Sequence, residues 1–407
     1  NTGSLNGIEN AGLERLATAR LSDNQRRALL SRLTRPDVPG LVKLIISDLG
    51  ATGSRGFGSL AIHRRLLLKQ LDECLTFRRT LLNEGNFVTT YTSKLRPGDD
   101  SDWRNDPDVE TAYLDRLWQF ARQLDPVHNS LKAHVLHRRL KLDHARGQHD
   151  RALFLEYLKL PRNMPYVRRQ VLQRLSNRRH LANLQADYRP ATALPIVGND
   201  EPLVRSYLLS FFLREENYEA YKPYLSDGYL KQLFAETKIV SGQGDPARWA
   251  AMLTPEQYQR LQKRVDLDFV ATNTRLFAPD NAVGFELDIK NVKTLIVKIF
   301  EINSLNYYRT QGREVNTDIN LDGLVPNFER TVSYREPPQR RVRRAFKFPE
   351  LKGRGTWVVD FIGNGKSSRV LVRKGRLRHL VRTGSAGHVF TLLDEAGTKL
   401  EKASLWL

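Results

Sequence analysis

Up to about Val265 the apolar positions recur at three- and four-residue spacing, over residues 59–78, 108–124, 129–146, 150–159, 201–214 and 247–264. That is the period of helices burying one face. Ser22-Asp23-Asn24-Gln25 ahead of Arg26 fits a capping box, in which the hydroxyl accepts a backbone N–H and the Gln reaches back. Thr254-Pro255-Glu256-Gln257 repeats the device, with Pro at the first helical position, where its missing N–H is not needed. No strict repeat register joins these stretches. The pattern predicts an irregular all-helical region over residues 1–265, almost all helix to about residue 260.

After Asp266 the period falls to two. Phe285, Leu287 and Ile289 alternate with Glu286, Asp288 and Lys290; Leu295, Val297, Ile299 and Ile302 follow. Strand-like segments continue at 329–334, 340–348, 355–362, 367–373, 376–382, 387–393 and 399–407, broken by turn chemistry at Gly363-Asn364-Gly365, Lys374-Gly375, Gly384-Ser385 and Glu395-Ala396-Gly397. Short strands at this spacing predict an antiparallel β-sandwich over residues 266–383 and the start of a further β domain over 384–407. The fold class is thus multidomain α + β.

With 407 residues the chain has room for two or three buried cores. No apolar run reaches the roughly 18 residues of a membrane span, and the single cysteine, Cys74, excludes a disulfide framework or a multi-thiolate metal site. The opening Asn1 and the closing apolar stretch Ala403-Ser404-Leu405-Trp406-Leu407, which reads as a strand without its turn, suggest an internal piece of a larger protein. Charge changes the picture most. Of a formal +20, an excess of +12 lies between Arg335 and Arg382, where 15 Lys/Arg meet only Glu336, Glu350 and Asp360. Such a field favours an anionic partner.

The order of motifs in the β half resembles the macroglobulin-like domains of bacterial alpha-2-macroglobulin-family proteins. The resemblance rests on Lys290-Asn291-Val292 leading into residues 295–300, on Gly355-Thr356-Trp357-Val358-Val359-Asp360-Phe361, on Ser368-Arg369-Val370-Leu371-Val372, and on His388 to Asp394 followed by Gly397, Leu400, Ala403 and Leu405. It covers roughly residues 268–407 and implies a macroglobulin-like sandwich followed by a truncated second one. It also implies a secreted, periplasmic or cell-surface protein that meets other domains of its own chain, proteases or an anionic envelope polymer, with protease trapping as the parent's activity. The family's thioester needs Cys-X-Glu-Gln; Cys74-Leu75-Thr76-Phe77 does not supply it.

Read from the residues themselves, two candidate sites stand out. With period two, Arg341, Arg343 and Lys347 oppose Val342, Phe346 and Phe348, although Arg344 falls on the apolar side, and Arg376, Arg378 and Arg382 oppose Leu377 and Val381. Together with Arg369 and Arg373 they form a cationic, anion-binding sheet face if these strands pair; a solvated outer face is the competing reading. The second is Asp318-Ile319-Asn320-Leu321-Asp322-Gly323 with Glu329 at the twelfth position, the spacing of a calcium loop, which nominates Asp318, Asn320, Asp322 and Glu329 as ligands and Ca2+ as cofactor. Here the competitor is an Asx-type turn, because Pro326 holds the ninth position and Thr331-Val332-Ser333-Tyr334 reads as a strand.

Other features weigh less. His134, His137 and His144 project within about 80° on one helix face but sit beside Arg138, Arg139 and Lys141, and lack a His-Glu-X-X-His motif. Gly365-Lys366-Ser367 is a hairpin turn rather than a phosphate loop, and the glycine-rich residues 50–58 read as a flexible loop ahead of a helix. No nucleophile with its base is nominated. The sequence therefore predicts a non-catalytic structural or interaction segment, with nucleic-acid binding through an Arg-rich sheet as the alternative.

Overall fold

The computed structural model describes residues 5, 7–274 and 276–402. The residues 403–407, read above as an interrupted strand, lie outside it. Fifteen α-helices run from Asn10 to Lys263 among the described residues. Both capping boxes form: Ser22 Oγ accepts from the Gln25 N–H while Gln25 Oε1 accepts from the Ser22 N–H, and Thr254 and Gln257 do the same.

The helices enclose three apolar cores in chain order, centred on Ile45 and Leu71, on Tyr113 and Leu117, and on Phe154, Tyr207 and Phe234. Leu75 and Tyr91 pack on the first and second, and Trp118 on the second and third, so apolar contact is continuous. Cys74 is buried in the first core, where desolvation pushes its thiol up to about 12.

Residues 160–200 depart from the expected helix. Only short helical turns occur there, among isolated bridges from Arg162 to Ala182 and from Val167 to Leu225. What organises the segment is a buried ion pair. Arg162 Nε donates to Asp200 Oδ2 at 2.7 Å, and Tyr157 and Tyr166 donate their hydroxyls to the two carboxylate oxygens at 2.6 and 2.5 Å. Arg162 Nη1 takes up the carbonyls of Tyr157 and Leu160 at the end of the helix Arg151–Lys159.

Past Asp266 the strands are β1 Asp266–Phe269, β2 Leu276–Phe277, β3 Gly284–Lys290, β4 Thr294–Glu301, β5 Phe328–Ser333, β6 Arg341–Lys347, β7 Gly355–Gly363, β8 Lys366–Lys374, β9 Arg378–Gly384 and β10 Gly387–Leu393. β1-β3-β6 form one sheet and β2-β8-β7-β4-β5 another, all antiparallel except the β2–β8 pair. Their inner faces make the sandwich, with the Phe361 ring 5.1 to 6.1 Å from those of Phe269, Phe346 and Phe348. Asn291 and Asn364 adopt left-handed backbone at the β3–β4 and β7–β8 connections, a conformation Asn tolerates. β9 and β10 form a separate hairpin.

One helix falls inside the β half, Ser304–Gln311. Asn303 caps it by accepting from the Asn306 N–H at 3.0 Å, and Gly312 closes it at a φ of 64°. The chain after it lays Val315, Ile319 and Leu321 over Phe300 and Val358, covering the outer side of the five-stranded sheet.

Two outcomes follow. Replacing only one partner of the buried pair, by Arg162→Met or Asp200→Asn, should destabilise the chain by about 3–5 kcal/mol in urea denaturation, since the remaining group loses its partner without regaining water. The second concerns acid. His63 is buried, with Nδ1 accepting from the Gly58 N–H at 2.8 Å, and desolvation followed by the nearby Arg27 lowers it from 6.5 to about 4. As pH falls the unfolded chain takes up this proton first, so the contribution is complete above pH 6.5 and declines from there to about 4. Stability should drop by about 1 kcal/mol per pH unit from this group in that window, and His63→Gln should flatten the slope measured by urea midpoints at pH 7 and 5.

Candidate functional site

The helical region and the sandwich meet along a charged seam. Its centre is Lys290, the last residue of β3, whose buried Nζ donates to the carbonyls of Leu261 and Arg264 at 2.5 and 2.7 Å. These lie at the end of the helix Pro255–Lys263, where unpaired carbonyls and the helix dipole favour a cation. Burial draws this ammonium down to about 8, against the opposing pull of Asp266, so it remains charged at neutral pH and can donate.

Around it the charges alternate. Arg264 forks onto Asp266 at 2.9 and 3.3 Å and reaches Glu236 at 2.9 Å, and Arg205 meets the same Glu236 oxygen at 3.1 Å. Glu236 is buried on the helix Asp227–Ser241. That helix ends at Gly242, whose φ of 66° is the left-handed conformation that favours glycine, with the Arg340 guanidinium against it. Arg341 reaches Asp268 at 3.0 Å and Asp288 at 3.7 Å, Arg343 forks onto Asp288 at 2.9 and 3.2 Å, and Lys366 meets Asp268 at 3.2 Å.

Two cavities open on the seam. One of about 600 Å³ lies among His144, His149, Arg214, Phe269, Asp288 and Arg341; the other, of about 430 Å³, among Arg205, Glu236, Arg264, Asp266, Asp268 and Lys366. His144 Nδ1 and His149 Nε2 are 2.9 Å apart in the first, a hydrogen-bond distance, and burial lowers the pKa of both rings. The arrangement provides matched ion pairs and a clamp. The hydroxyls of Ser206, Thr237 and Ser241 at the first cavity donate to the backbone carbonyls of Leu203, Leu233 and Lys238.

The eight basic residues expected to share a face do not. Arg341, Arg343 and Lys347 are on β6, which pairs only with β3; Arg369 and Arg373 are on β8 in the other sheet; Arg378 and Arg382 are on the separate hairpin, with Arg376 just before it. Most are also neutralised: Arg369 by Asp360 at 2.9 Å, Arg373 and Arg376 by Glu314 at 2.9 and 3.4 Å, and Arg378 by Asp102 of the helical region. Lys347 and Arg382 are exposed. Except for Asp360, these acids lie outside residues 335–382, so a charge count over that run does not include them.

The calcium pattern has a packing explanation. Ile319 and Leu321 point into the small core over the sheet, while Asp318, Asn320, Asp322 and Glu329 are exposed. Asn316 and Asn320 each accept from a backbone N–H two residues on, Asp318 pairs with Arg313 at 3.2 Å, and Glu329 faces Lys298 on β4 at 3.7 Å. Among the described residues no group of three or more His, Cys, Asp or Glu side chains is placed to hold a metal ion, and the helical histidines are no exception. In the glycine-rich loop, the Phe57 N–H already donates to the Glu84 carboxylate at 3.1 Å.

Fold and seam together define a helical domain clamped to an immunoglobulin-like β-sandwich. Residues 1–265 match the family model described as the actin-binding protein F N-terminal domain, and residues 295–375 that described as the AbpF first immunoglobulin-like domain. The chain belongs to the actin-binding protein F family. It is similar to actin-binding protein F of Dictyostelium discoideum, 32% identical over 393 residues, which is 95% of this chain and 16% of that protein. No solved structure matches. These matches overturn the alpha-2-macroglobulin resemblance and with it protease trapping; the localisation drawn from it loses its basis. The motifs that carried it, Asn291 before an apolar strand and Gly355 leading into Trp357, Val359 and Phe361, mark a turn between sheets and an inward strand face, which different sandwich families share.

If Lys290 clamps the seam, Lys290→Met should leave the Leu261 and Arg264 carbonyls without this donor and lower stability by about 1–3 kcal/mol. Hydrogen exchange should accelerate over residues 255–268 while the core around Leu117 keeps its protection.

Proposed function

We propose that this chain binds actin, with the helical region as the contacting element and the immunoglobulin-like sandwich as a spacer held against it by the Lys290 seam. The observation that carries this reading is the family match over residues 1–265, a region that includes three helical cores and the exposed arginines between them. The similarity to actin-binding protein F over 95% of the chain supports it further. The role is one of binding rather than catalysis, in keeping with the name of the relative and with a seam built of satisfied ion pairs. The net charge of +20 favours an acidic partner and association that weakens with salt.

Co-sedimentation of the whole chain with filamentous actin tests this directly. Saturable pelleting that falls as ionic strength rises is the expected result. A chain that stays in the supernatant at low salt, while folded by circular dichroism, would remove the proposal.

A further inference from the structure

Between Leu160 and Asp187 the chain carries six arginines and no Asp or Glu. Arg162 is buried on Asp200; Arg168, Arg169, Arg174, Arg178 and Arg179 are exposed. Arg168 donates to the Lys222 carbonyl at 3.2 Å and to Gln170. None of the five has a carboxylate within ion-pair distance among the described residues, whereas the sandwich arginines Arg341, Arg343, Arg369 and Arg373 each have one.

The segment is nonetheless fixed. The Arg168 N–H donates to the Tyr224 carbonyl at 3.0 Å, Asn129 Nδ2 donates to the His180 carbonyl at 2.8 Å, and the Asn183 N–H donates to Ser130 Oγ at 2.9 Å. Lys222, whose carbonyl Arg168 meets, holds Glu219 and Asp227 at 2.7 and 3.4 Å. A fixed backbone thus presents like charges that no carboxylate pairs with among the described residues.

We propose that Arg168, Arg169, Arg174, Arg178 and Arg179 form the docking surface for an acidic face of a protein partner, which on the reading above, on which this rests, is actin. Every cation in the cluster is a guanidinium, a fork that matches carboxylates in two-point geometry. No Phe, Tyr or Trp lies between Arg168 and Arg179, so the surface lacks the stacking platform of a single-stranded nucleic-acid site.

The test compares the whole chain, the variant Arg169→Ala/Arg174→Ala/Arg178→Ala/Arg179→Ala, and a charge-matched control, Arg55→Ala/Arg64→Ala/Arg65→Ala/Lys69→Ala, on exposed residues of the glycine-rich loop and the two helices that follow it. Each is measured against filamentous actin, poly-glutamate and oligo-dT across a salt series. The cluster variant should lose about tenfold or more in actin affinity at low salt, with an unchanged thermal midpoint, while the control binds nearly as wild type does. Equal actin binding by wild type and cluster variant overturns the surface and leaves the actin reading standing. Failure of wild type on actin, with poly-glutamate binding that only the cluster variant loses, removes actin and keeps the acidic-protein surface. Equal losses in both variants, no binding to either polypeptide, or a cluster-dependent preference for oligo-dT each overturn the proposal.

Discussion

The helical domain depends on one buried ion pair. Arg162 and Asp200 bracket about 40 residues that lack the periodicity for a long helix, and their side chains meet where solvent does not reach. Burial alone would pull the guanidinium's proton affinity down, and Tyr157, Tyr166 and Asp200 more than offset it. Asp200 also precedes the helix Glu201–Phe212, where a negative charge suits the dipole. A pair of this kind gains little net stability over an apolar replacement of equal shape, because desolvating both ions is expensive. Its value is in specifying one arrangement: the Tyr157 and Tyr166 hydroxyls find the Asp200 carboxylate only if the chain at 162 and 200 comes together.

Electrostatics then divides the molecule in a way that counting along the chain obscures. The densest run of positive charge, residues 335–382, folds into sheets whose arginines meet Asp268, Asp288, Glu314, Asp360 and Asp102. Four of these acids, Asp268, Asp288, Glu314 and Asp102, lie outside the run, so pairing with them offsets about a third of its +12. The shorter run over residues 168–179 has no such partners, and its charge remains on the surface. An interaction site is better sought where charge is left over than where it is most concentrated.

What the sequence disclosed follows from how local each signal is. Capping boxes at Ser22 and Thr254, alternation at Phe285, Leu287 and Ile289, and the Gly363-Asn364-Gly365 turn are settled within a few residues, and the fold uses them as read. The helix Ser304–Gln311 had a legible start and stop in Asn303 and Gly312, yet Leu305 and Tyr308 remain exposed, so it shows no apolar stripe to draw attention. Strand partnership is not local: nothing between Arg341 and Arg382 shows that β6 and β8 belong to opposite sheets. The calcium spacing failed to distinguish two causes of period-two polarity, since Ile319 and Leu321 alternate inward for the same reason that strand residues do.

The seam at Lys290 gives the two domains a defined relation. A flexible tether would let the sandwich swing independently of the helical domain and would transmit neither orientation nor force between them. Here the ammonium ending β3 caps the helix preceding β1, and Arg264 holds Glu236 and Asp266 together across the same boundary. Both carboxylates are buried at the point where the chain passes from helix to strand. Separating the domains would expose three interlocked charges at once, so opening should be cooperative rather than gradual. A joint of this construction fixes the direction in which the sandwich leaves the helical domain.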